Sequence, residues 1–425
     1  MKTILLLGAG KSATVLIDYL IKTAAENKWK FIIADANKQQ ILAKTNNSPF
    51  AEAVALDVTN EKQRSKLIER AHVVISMMPP SLHFLIAKDC VEYRKHLLTA
   101  SYLDNKIKSL EAEIRNKKLL FLCEMGLDPG IDHMSAIKII DEIKHNGGNI
   151  NSFKSHCGGL VAPETDNNPW HYKISWNPRN VVLAGKAGAE YKLDDKIIHK
   201  EYKELFADCE EVAIEGLGKL AFYPNRDSLS YMPVYHLENA TTFIRTTLRY
   251  ADFCKGWQAI VSADLANEKD AVDTKELSFK KWSAAINPFI DDSNKKLLEF
   301  LGLFDEALVP AAAKSSADIL QYLLETKWVM QPQDKDMIVM LHEIEYETVD
   351  GNKKKIESSL VVKGEDNLRT AMAKTVGLPL GIAAKLILND TIKMTGVHIP
   401  IAKEIYEPVL KELEGFGVVF REVEK

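Results

Sequence analysis

Lys2-Thr-Ile-Leu-Leu-Leu-Gly8-Ala9-Gly10-Lys11-Ser12-Ala13 opens the chain with an apolar run, a glycine turn and the start of a helix. The spacing G-x-G-x-x-A has the form of a dinucleotide-binding strand–turn–helix unit. Gly8 permits a tight turn out of the strand. Gly10 carries no side chain, so a pyrophosphate can approach the backbone. Ala13 is small enough to let the helix lie close on the sheet. The helix start then offers free N–H groups and the positive end of its dipole to phosphates. A second apolar run, Trp29-Lys-Phe-Ile-Ile-Ala34, ends in Asp35. A carboxylate at that place can bond the ribose hydroxyls of the adenosine half and repels a 2′-phosphate, which tilts the residues towards NAD over NADP. Lys11 and Lys38 are nearby cations that could still accommodate such a phosphate.

Working outward, strand and helix signals alternate to about residue 125. Apolar runs at 53–58, 71–76, 96–102 and 119–124 are separated by helical stretches at 60–70, 81–95 and 104–117. This alternation predicts an α/β fold with a doubly wound parallel sheet, whose ligands bind beyond the carboxyl ends of the strands. Asp35, Asp57, Ser76, Ser101, Tyr102 and Asp128 stand at those ends. From about 150 the texture changes. Residues 151–260 are rich in aromatic, β-branched and glycine residues and read as a mostly antiparallel sheet. Residues 265–330 read as helical, and 336–363 return to strands around a turn at Asp350-Gly-Asn. Residues 368–388 look like a helix broken at Gly377-Leu-Pro379-Leu-Gly381, followed by a helix at 401–414 and a strand at 416–423. The expected domains are 1–130, completed by 376–425, and 131–375 with a helical insertion near 265–330.

A chain of 425 residues with 46% hydrophobic and 27% charged residues is expected to bury a large core. A net charge of −4 points away from nucleic acid and anionic membranes as partners. No apolar run approaches the roughly 18 residues of a membrane span. The first apolar stretch ends in the glycine turn with no cleavage region behind it, and five scattered cysteines form no C-x-x-C pair. A reducing cytoplasmic location without structural zinc is expected.

Gly126-Leu127-Asp128-Pro129-Gly130-Ile-Asp132-His133 places a tight turn after the sixth strand. Asp128 can orient a substrate amine or accept its proton, or simply start the turn. Asp132 reads as a helix cap. Arg226 and Arg249 each lie among aromatic and turn residues, and an arginine fork binds carboxylates through two parallel hydrogen bonds. An isolated arginine more often holds a neighbouring acid. His133, His156 and His171 show no metal-ligand spacing, and no base is spaced to serve Cys157.

Several longer segments point further. They are Thr99-Ala-Ser-Tyr102, Glu124 to His133, Cys157-Gly-Gly-Leu-Val-Ala-Pro-Glu164 and Tyr172-Lys-Ile-Ser175-Trp176-Asn-Pro-Arg179. Phe222-Tyr-Pro-Asn-Arg-Asp-Ser228, Thr247-Leu248-Arg249-Tyr250, Gly377 to Ile382 and Lys403-Glu-Ile-Tyr-Glu-Pro408 follow in order. With these the chain resembles the saccharopine dehydrogenases of the glutamate-forming type over nearly its whole length. The resemblance implies a Rossmann-type domain, and an α+β substrate and dimerisation domain with a mixed sheet. It implies interconversion of saccharopine, a small amino-acid substrate, with L-glutamate and 2-aminoadipate 6-semialdehyde, with NADP, in a homodimer. It places substrate contacts at Ser101, Tyr102, Asp128, Arg226, Thr247, Leu248 and Arg249. Cofactor contacts would fall on the glycine turn, the end of the second strand, Asp57, Val58, Ser76, Met77, Ser101, Leu127, Asp128 and Pro129, with Ser175 and Trp176 near the same site. Tyr102 and Asp128 are the candidates for moving protons, without one assigned base. Two rivals stand beside this reading. One is an imine-reducing dehydrogenase of polyamine metabolism, of the carboxynorspermidine type, whose site needs acids where this chain has arginines. The other is a catalytically silent nucleotide-binding scaffold.

Overall fold

The strands of the first half owe their continuous apolar sequences to burial on both faces, as parallel sheets require. In the computed structural model, which describes residues 1–425, Thr3–Leu7 (β1) is buried at every position. It is followed by Lys30–Asp35 (β2), Ala51–Ala55 (β3), Val73–Ser76 (β4), His96–Thr99 (β5) and Leu120–Leu122 (β6). A further strand, Gly396–His398, runs parallel beside β6. The sheet order is Gly396–His398, β6, β5, β4, β1, β2, β3, with every pairing parallel. Chain direction across the sheet reverses between β1 and β4, so the crevice beyond Leu7 and Ser76 is the topological switch point.

Helices Thr14–Asn27 (α1), Lys38–Thr45 (α2), Glu61–Arg70 (α3) and Pro80–Glu92 (α4) connect these strands. A buried ion pair ties two of them: Arg64 Nε lies 2.7 Å from Asp89 Oδ2, and Arg64 Nη1 donates to the Val58 carbonyl at 2.7 Å. That arginine thereby fixes the loop of Asp57 and Val58.

Ala371–Leu388 forms one continuous helix, with Pro379 inside it, and is not broken as expected. The glycines there answer a packing need. A Cβ on Gly377 would stand 2.9 Å from the Leu16 Cβ, and one on Gly381 would stand 2.6 Å from the Tyr19 ring, so both admit α1 at close range. This helix is also long and apolar enough to cross a membrane by length and composition, contrary to the expectation that no run comes close. Of its 18 residues 78% are buried inside the protein, as in a core helix.

The chain divides into two units, 1–141 with 368–419, and 142–367 with 420–425. The second is built on a ten-stranded sheet. Its central pair, Asn149–Val161 and Asp336–Glu347, is antiparallel, and Lys353–Lys363 and Arg421–Glu424 extend it on one side. On the other side Thr242–Arg249 runs parallel to Asn149–Val161, so the sheet is mixed. Gly218–Pro224 follows antiparallel to Thr242–Arg249. The stretch read as helical is so in part: Phe279–Trp282 runs into a 3-10 turn over Ser283–Phe289, and Lys295–Leu301 and Ser316–Lys327 follow, with turns between them. They enclose an aromatic core in which Trp170, Trp257 and Trp328 are completely buried and meet Phe253.

Candidate active site

The glycine turn leaves β1 with Gly8 at φ +99°, its N–H donating to the Ala34 carbonyl at 2.9 Å. A Cβ on Gly8 would lie 3.0 Å from the Met77 carbonyl oxygen, whereas one on Gly10 would meet nothing within 4 Å. The turn therefore sits tight against the end of β4 at Gly8 and is open at Gly10. No side chain caps the short helix Lys11–Ala13 that follows, and Ala13 is buried. An open, uncapped turn at a switch point suits the pyrophosphate of a dinucleotide.

Asp35 is engaged otherwise than its position in the sequence suggests. Its Oδ2 accepts from the Ala9 N–H at 2.8 Å and its Oδ1 from the Asn37 N–H at 2.9 Å. The turn is braced from the other side by Gln40 Nε2, which donates to the Ala9 carbonyl at 2.9 Å. Lys44 Nζ donates to the Gly10 carbonyl at 2.5 Å. Burial pushes the Lys44 ammonium down to about 8, against the opposing pull of Asp35 and Asp18. Both Asp35 oxygens already bond the turn's own backbone, and a cation that sequence reasoning missed stands beside it, so the geometry does not carry the tilt to NAD. Lys44 lies in the body of α2, where nothing in the local pattern marks it. Asp57 is exposed, and its carboxyl is held below the ordinary range by hydrogen bonds from the Thr59 hydroxyl and N–H.

At the ends of β4 and β5, Ser76 and Ser101 are joined through a residue that sequence reasoning also passed over. His83, on α4, makes hydrogen bonds of 2.9 Å from Nδ1 to Ser76 Oγ and of 2.8 Å from Nε2 to Ser101 Oγ. Burial pushes this imidazole down to about 4, so it is neutral at physiological pH. The only cue in the sequence was one histidine three residues past a Pro-Pro pair.

The segment after β6 is fixed from within. Glu124 is buried at φ +57°. Its Oε1 accepts from the Leu103 N–H at 3.0 Å, and its Oε2 lies 2.8 Å from His133 Nε2. Asp132 Oδ1 accepts from the Gly130 N–H at 2.6 Å, bonding the turn rather than simply capping the helix Ile131–His145. The Asp128–Pro129 bond is cis. Between these anchors Asp128 receives a hydrogen bond from the Tyr102 hydroxyl at 3.3 Å. Two residues 26 positions apart are thus brought together as a hydroxyl–carboxylate pair. Leu127 is buried, its carbonyl accepting from the Asp132 N–H at 3.0 Å.

In the second unit, Thr247 pairs with Tyr223 on one side and Cys157 on the other. A Cβ on Gly158 would lie 2.4 Å from the Leu248 carbonyl oxygen, so the two strands approach closely there. Arg249 ends its strand 5% exposed. Its Nη1 donates to the Leu248 carbonyl at 2.7 Å, and its guanidinium lies 5.1 Å from the Tyr172 ring centre and 5.2 Å from that of Phe253. Its Nε has no hydrogen-bond partner. The hydroxyl of Tyr172 accepts from Trp176 Nε1 at 3.1 Å, and Ser175 is buried beside it in sequence. Arg226 differs: it is exposed, at φ +54°, in a two-residue strand beside Ala189 and Glu190. His156 is held by Thr246 at 2.7 Å and by Glu343 at 3.1 Å. The hydrogen bond from His156, with help from Lys355, draws the Glu343 carboxyl down to about 2.

A doubly wound sheet with this turn at its switch point is the framework of pyridine-nucleotide oxidoreductases, and the first unit belongs to that class. Within the class, the chain belongs to the saccharopine dehydrogenase family. Residues 4–122 match the saccharopine dehydrogenase NADP binding domain, and residues 126–418 match the saccharopine dehydrogenase C-terminal domain. The saccharopine dehydrogenase [NADP(+), L-glutamate-forming] of Saccharomyces cerevisiae is 34% identical over 449 residues, which cover 99% of both chains. The alpha-aminoadipic semialdehyde synthase of Arabidopsis thaliana is 33% identical over 480 residues, 99% of this chain and 44% of that protein. The chain thus spans less than half the plant relative and nearly all of the yeast one. The solved apo structure of the L-Glu forming saccharopine dehydrogenase of Saccharomyces cerevisiae superposes with a TM-score of 0.90, at 32% identity, covering 100% of each chain.

Proposed function

We propose that this chain is a glutamate-forming saccharopine dehydrogenase. It interconverts saccharopine with L-glutamate and 2-aminoadipate 6-semialdehyde, using NADP. The observation that carries the substrate side is Arg249. A guanidinium buried this deeply, with no carboxylate beside it and an unbonded Nε, is a costly arrangement unless an anion completes it. Saccharopine has three carboxylates, whereas a polyamine substrate would need acids in that place. Tyr172 and Phe253 hold the guanidinium by cation–π contact and keep its fork from collapsing onto a neighbour.

The open turn at Gly10 and the uncapped N–H groups after it fit the pyrophosphate of the cofactor, and Lys44, Lys38 and Asn37 are the residues suited to an adenosine 2′-phosphate. When bound, the nicotinamide supplies hydride transfer at the carbon beside the secondary amine of saccharopine. The chain's own residues handle protons and position. That amine must be neutral to give up hydride, and Asp128 is the group suited to take its proton. Tyr102, hydrogen-bonded to Asp128, orients the carboxylate and can return a proton when the imine is hydrolysed by water. Ser101, Thr247 and Arg226 complete the substrate contacts in this reading. A homodimer and a cytoplasmic location belong to it too. Sedimentation at twice the 47.7 kDa chain mass tests the former.

Arg249→Ala tests the assignment. Truncating one member of a buried charge pair costs about 2–5 kcal/mol, so the KM for saccharopine should rise about 30-fold or more. The dissociation constant of NADPH, read by fluorescence titration, should change less than about twofold, since no cofactor role is assigned to Arg249. An equal loss of both affinities defeats the carboxylate role. Tight NADPH binding without turnover of saccharopine by the unaltered protein favours the silent scaffold instead.

A further inference from the structure

The side chains of Ser76, His83 and Ser101 form a linear chain of hydrogen bonds within the first unit, and its direction follows from counting donors. Ser76 is 1% exposed, and its hydroxyl has His83 Nδ1 as its one hydrogen-bond partner. A buried hydroxyl proton needs an acceptor, so Ser76 donates to Nδ1. A neutral imidazole has one donor and one acceptor nitrogen. With Nδ1 accepting, the proton resides on Nε2, and Nε2–H donates to Ser101 Oγ. The oxygen of Ser101 is then occupied as an acceptor, and its own O–H proton is left to point at something else. Ser101 is only partly buried, whereas Ser76 and His83 lie beneath it.

We propose that His83 is a positioning residue that fixes the Ser101 hydroxyl as a hydrogen-bond donor towards a ligand oxygen. The inference rests on the reading of Ser101 as a ligand-contacting residue and adds to it a polarity and a cause. The ligand atom is an acceptor, not an N–H group: a carboxylate oxygen of the amino-acid substrate or the carboxamide oxygen of the nicotinamide. His83 touches neither; it acts through Ser101. Protonating the imidazole would force Nδ1 to donate and turn the Ser76 hydroxyl away, which burial resists.

A double-mutant cycle tests this on the full-length protein. Ser101→Ala should lower kcat/KM for saccharopine about tenfold, the worth of one hydrogen bond in a desolvated site. His83→Asn keeps an amide near the Nδ1 position but cannot reach Ser101, and should show a loss of similar size. His83→Gln, whose longer amide extends towards Ser101, should recover most of that loss relative to His83→Asn. The double variant Ser101→Ala/His83→Asn should be no worse than Ser101→Ala alone, because His83 has no other route to the ligand. NADPH titration and urea unfolding midpoints accompany each variant. A loss confined to saccharopine assigns the acceptor to the substrate, and a parallel loss of NADPH affinity assigns it to the cofactor. Additive losses in the double variant, or His83→Gln as impaired as His83→Asn, overturn the positioning role while leaving Ser101 a ligand contact. If Ser101→Ala changes neither affinity nor rate, the reading of Ser101 itself falls and the inference with it. Should His83→Asn fold poorly, His83→Leu replaces it in the cycle, with the same expectation of no added loss once Ser101 is absent.

Discussion

At the scale of single residues, the site divides into positions whose chemistry the sequence displays and positions whose role appears only in space. Gly8, Gly10 and Ala13 were legible because a dinucleotide turn demands small residues at that spacing. Asp128 and Arg249 were legible as types, but local pattern could not separate a ligand contact from a structural acid or a partnered arginine. Arg249 has no carboxylate beside it, which supports the proposed contact, and only packing reveals that. His83 and Lys44 were illegible, since the partners that show their roles, Ser101 and Gly10, lie 18 and 34 positions away. Gly130 stands between these cases. It adopts φ +148°, and a Cβ there would lie 2.1 Å from the Gly126 carbonyl oxygen, so the turn cannot close around any side chain. Gly130→Ala should therefore displace Asp128, cost about 1–3 kcal/mol in urea unfolding, and depress kcat more than the stability loss explains. Unchanged kinetics would separate the turn from the chemistry. His83 also has a signature of its own in acid. Its folded value of about 4 lies below the ordinary 6.5. Between those pH values the unfolded chain binds a proton that the folded protein refuses. Stability is undiminished by this group above about 6.5 and falls as pH drops towards 4, by about 3 kcal/mol at the limit. His83→Gln removes the titration, so the slope of unfolding free energy against pH over that window should flatten.

At the scale of elements, the parallel strands were legible because burial on both faces writes an uninterrupted apolar run. Gly396–His398 was not: at three residues it is too short to show a period, and its neighbour β6 is nearly three hundred positions earlier. The parallel pairing of Thr242–Arg249 with Asn149–Val161 was invisible for a similar reason, since alternation along a strand does not encode the direction of its partner. The helix Ala371–Leu388 is the instructive error. Gly-x-Pro-x-Gly reads locally as a break, yet tertiary packing overrides propensity when two glycines let α1 approach. The fit is tight enough to measure. Gly381→Val inserts three carbons against Tyr19 and Leu16, and overpacking of this kind costs about 1–3 kcal/mol. Val at 381 should lower the urea midpoint accordingly. The exposed Gly417, whose Cβ would meet nothing within 4 Å but whose φ is +79°, should cost less on substitution by Asn than Gly381 does by Val. Equal effects at the two sites would show that backbone freedom, not helix contact, is what Gly381 provides.

At the scale of the whole molecule, the chain leaves its first unit near residue 141 and returns to it at 368, and then ends in the second unit's sheet. The sequence suggested the return but set it several residues later, at 376, and kept the final strand with the first unit. A strand of four exposed residues, Arg421–Glu424, carries no mark of the sheet it joins. The return has energetic weight. The helix Ala371–Leu388 buries Met372, Leu378, Leu380, Ile382, Leu386, Ile387 and Leu388. Burial of each such side chain contributes about 1.5–3 kcal/mol before the entropy of ordering is counted, so losing all seven removes more than the roughly 5–15 kcal/mol net stability of a domain can spare. Residues 1–141 contain every strand of the parallel sheet except Gly396–His398, and they hold the complete glycine turn. Even so, they lack the cover over α1 that Leu16 and Tyr19 require. We therefore expect the fragment 1–141 alone to show no cooperative unfolding and no NADPH binding. Co-expression with 368–419 should restore both, with a dissociation constant within about tenfold of the intact chain, because association of the two pieces consumes part of the binding free energy. Circular dichroism melts and NADPH fluorescence read the two outcomes. If 1–141 binds NADPH unaided, the cofactor unit is continuous in its energetics, and the returning segment merely decorates it.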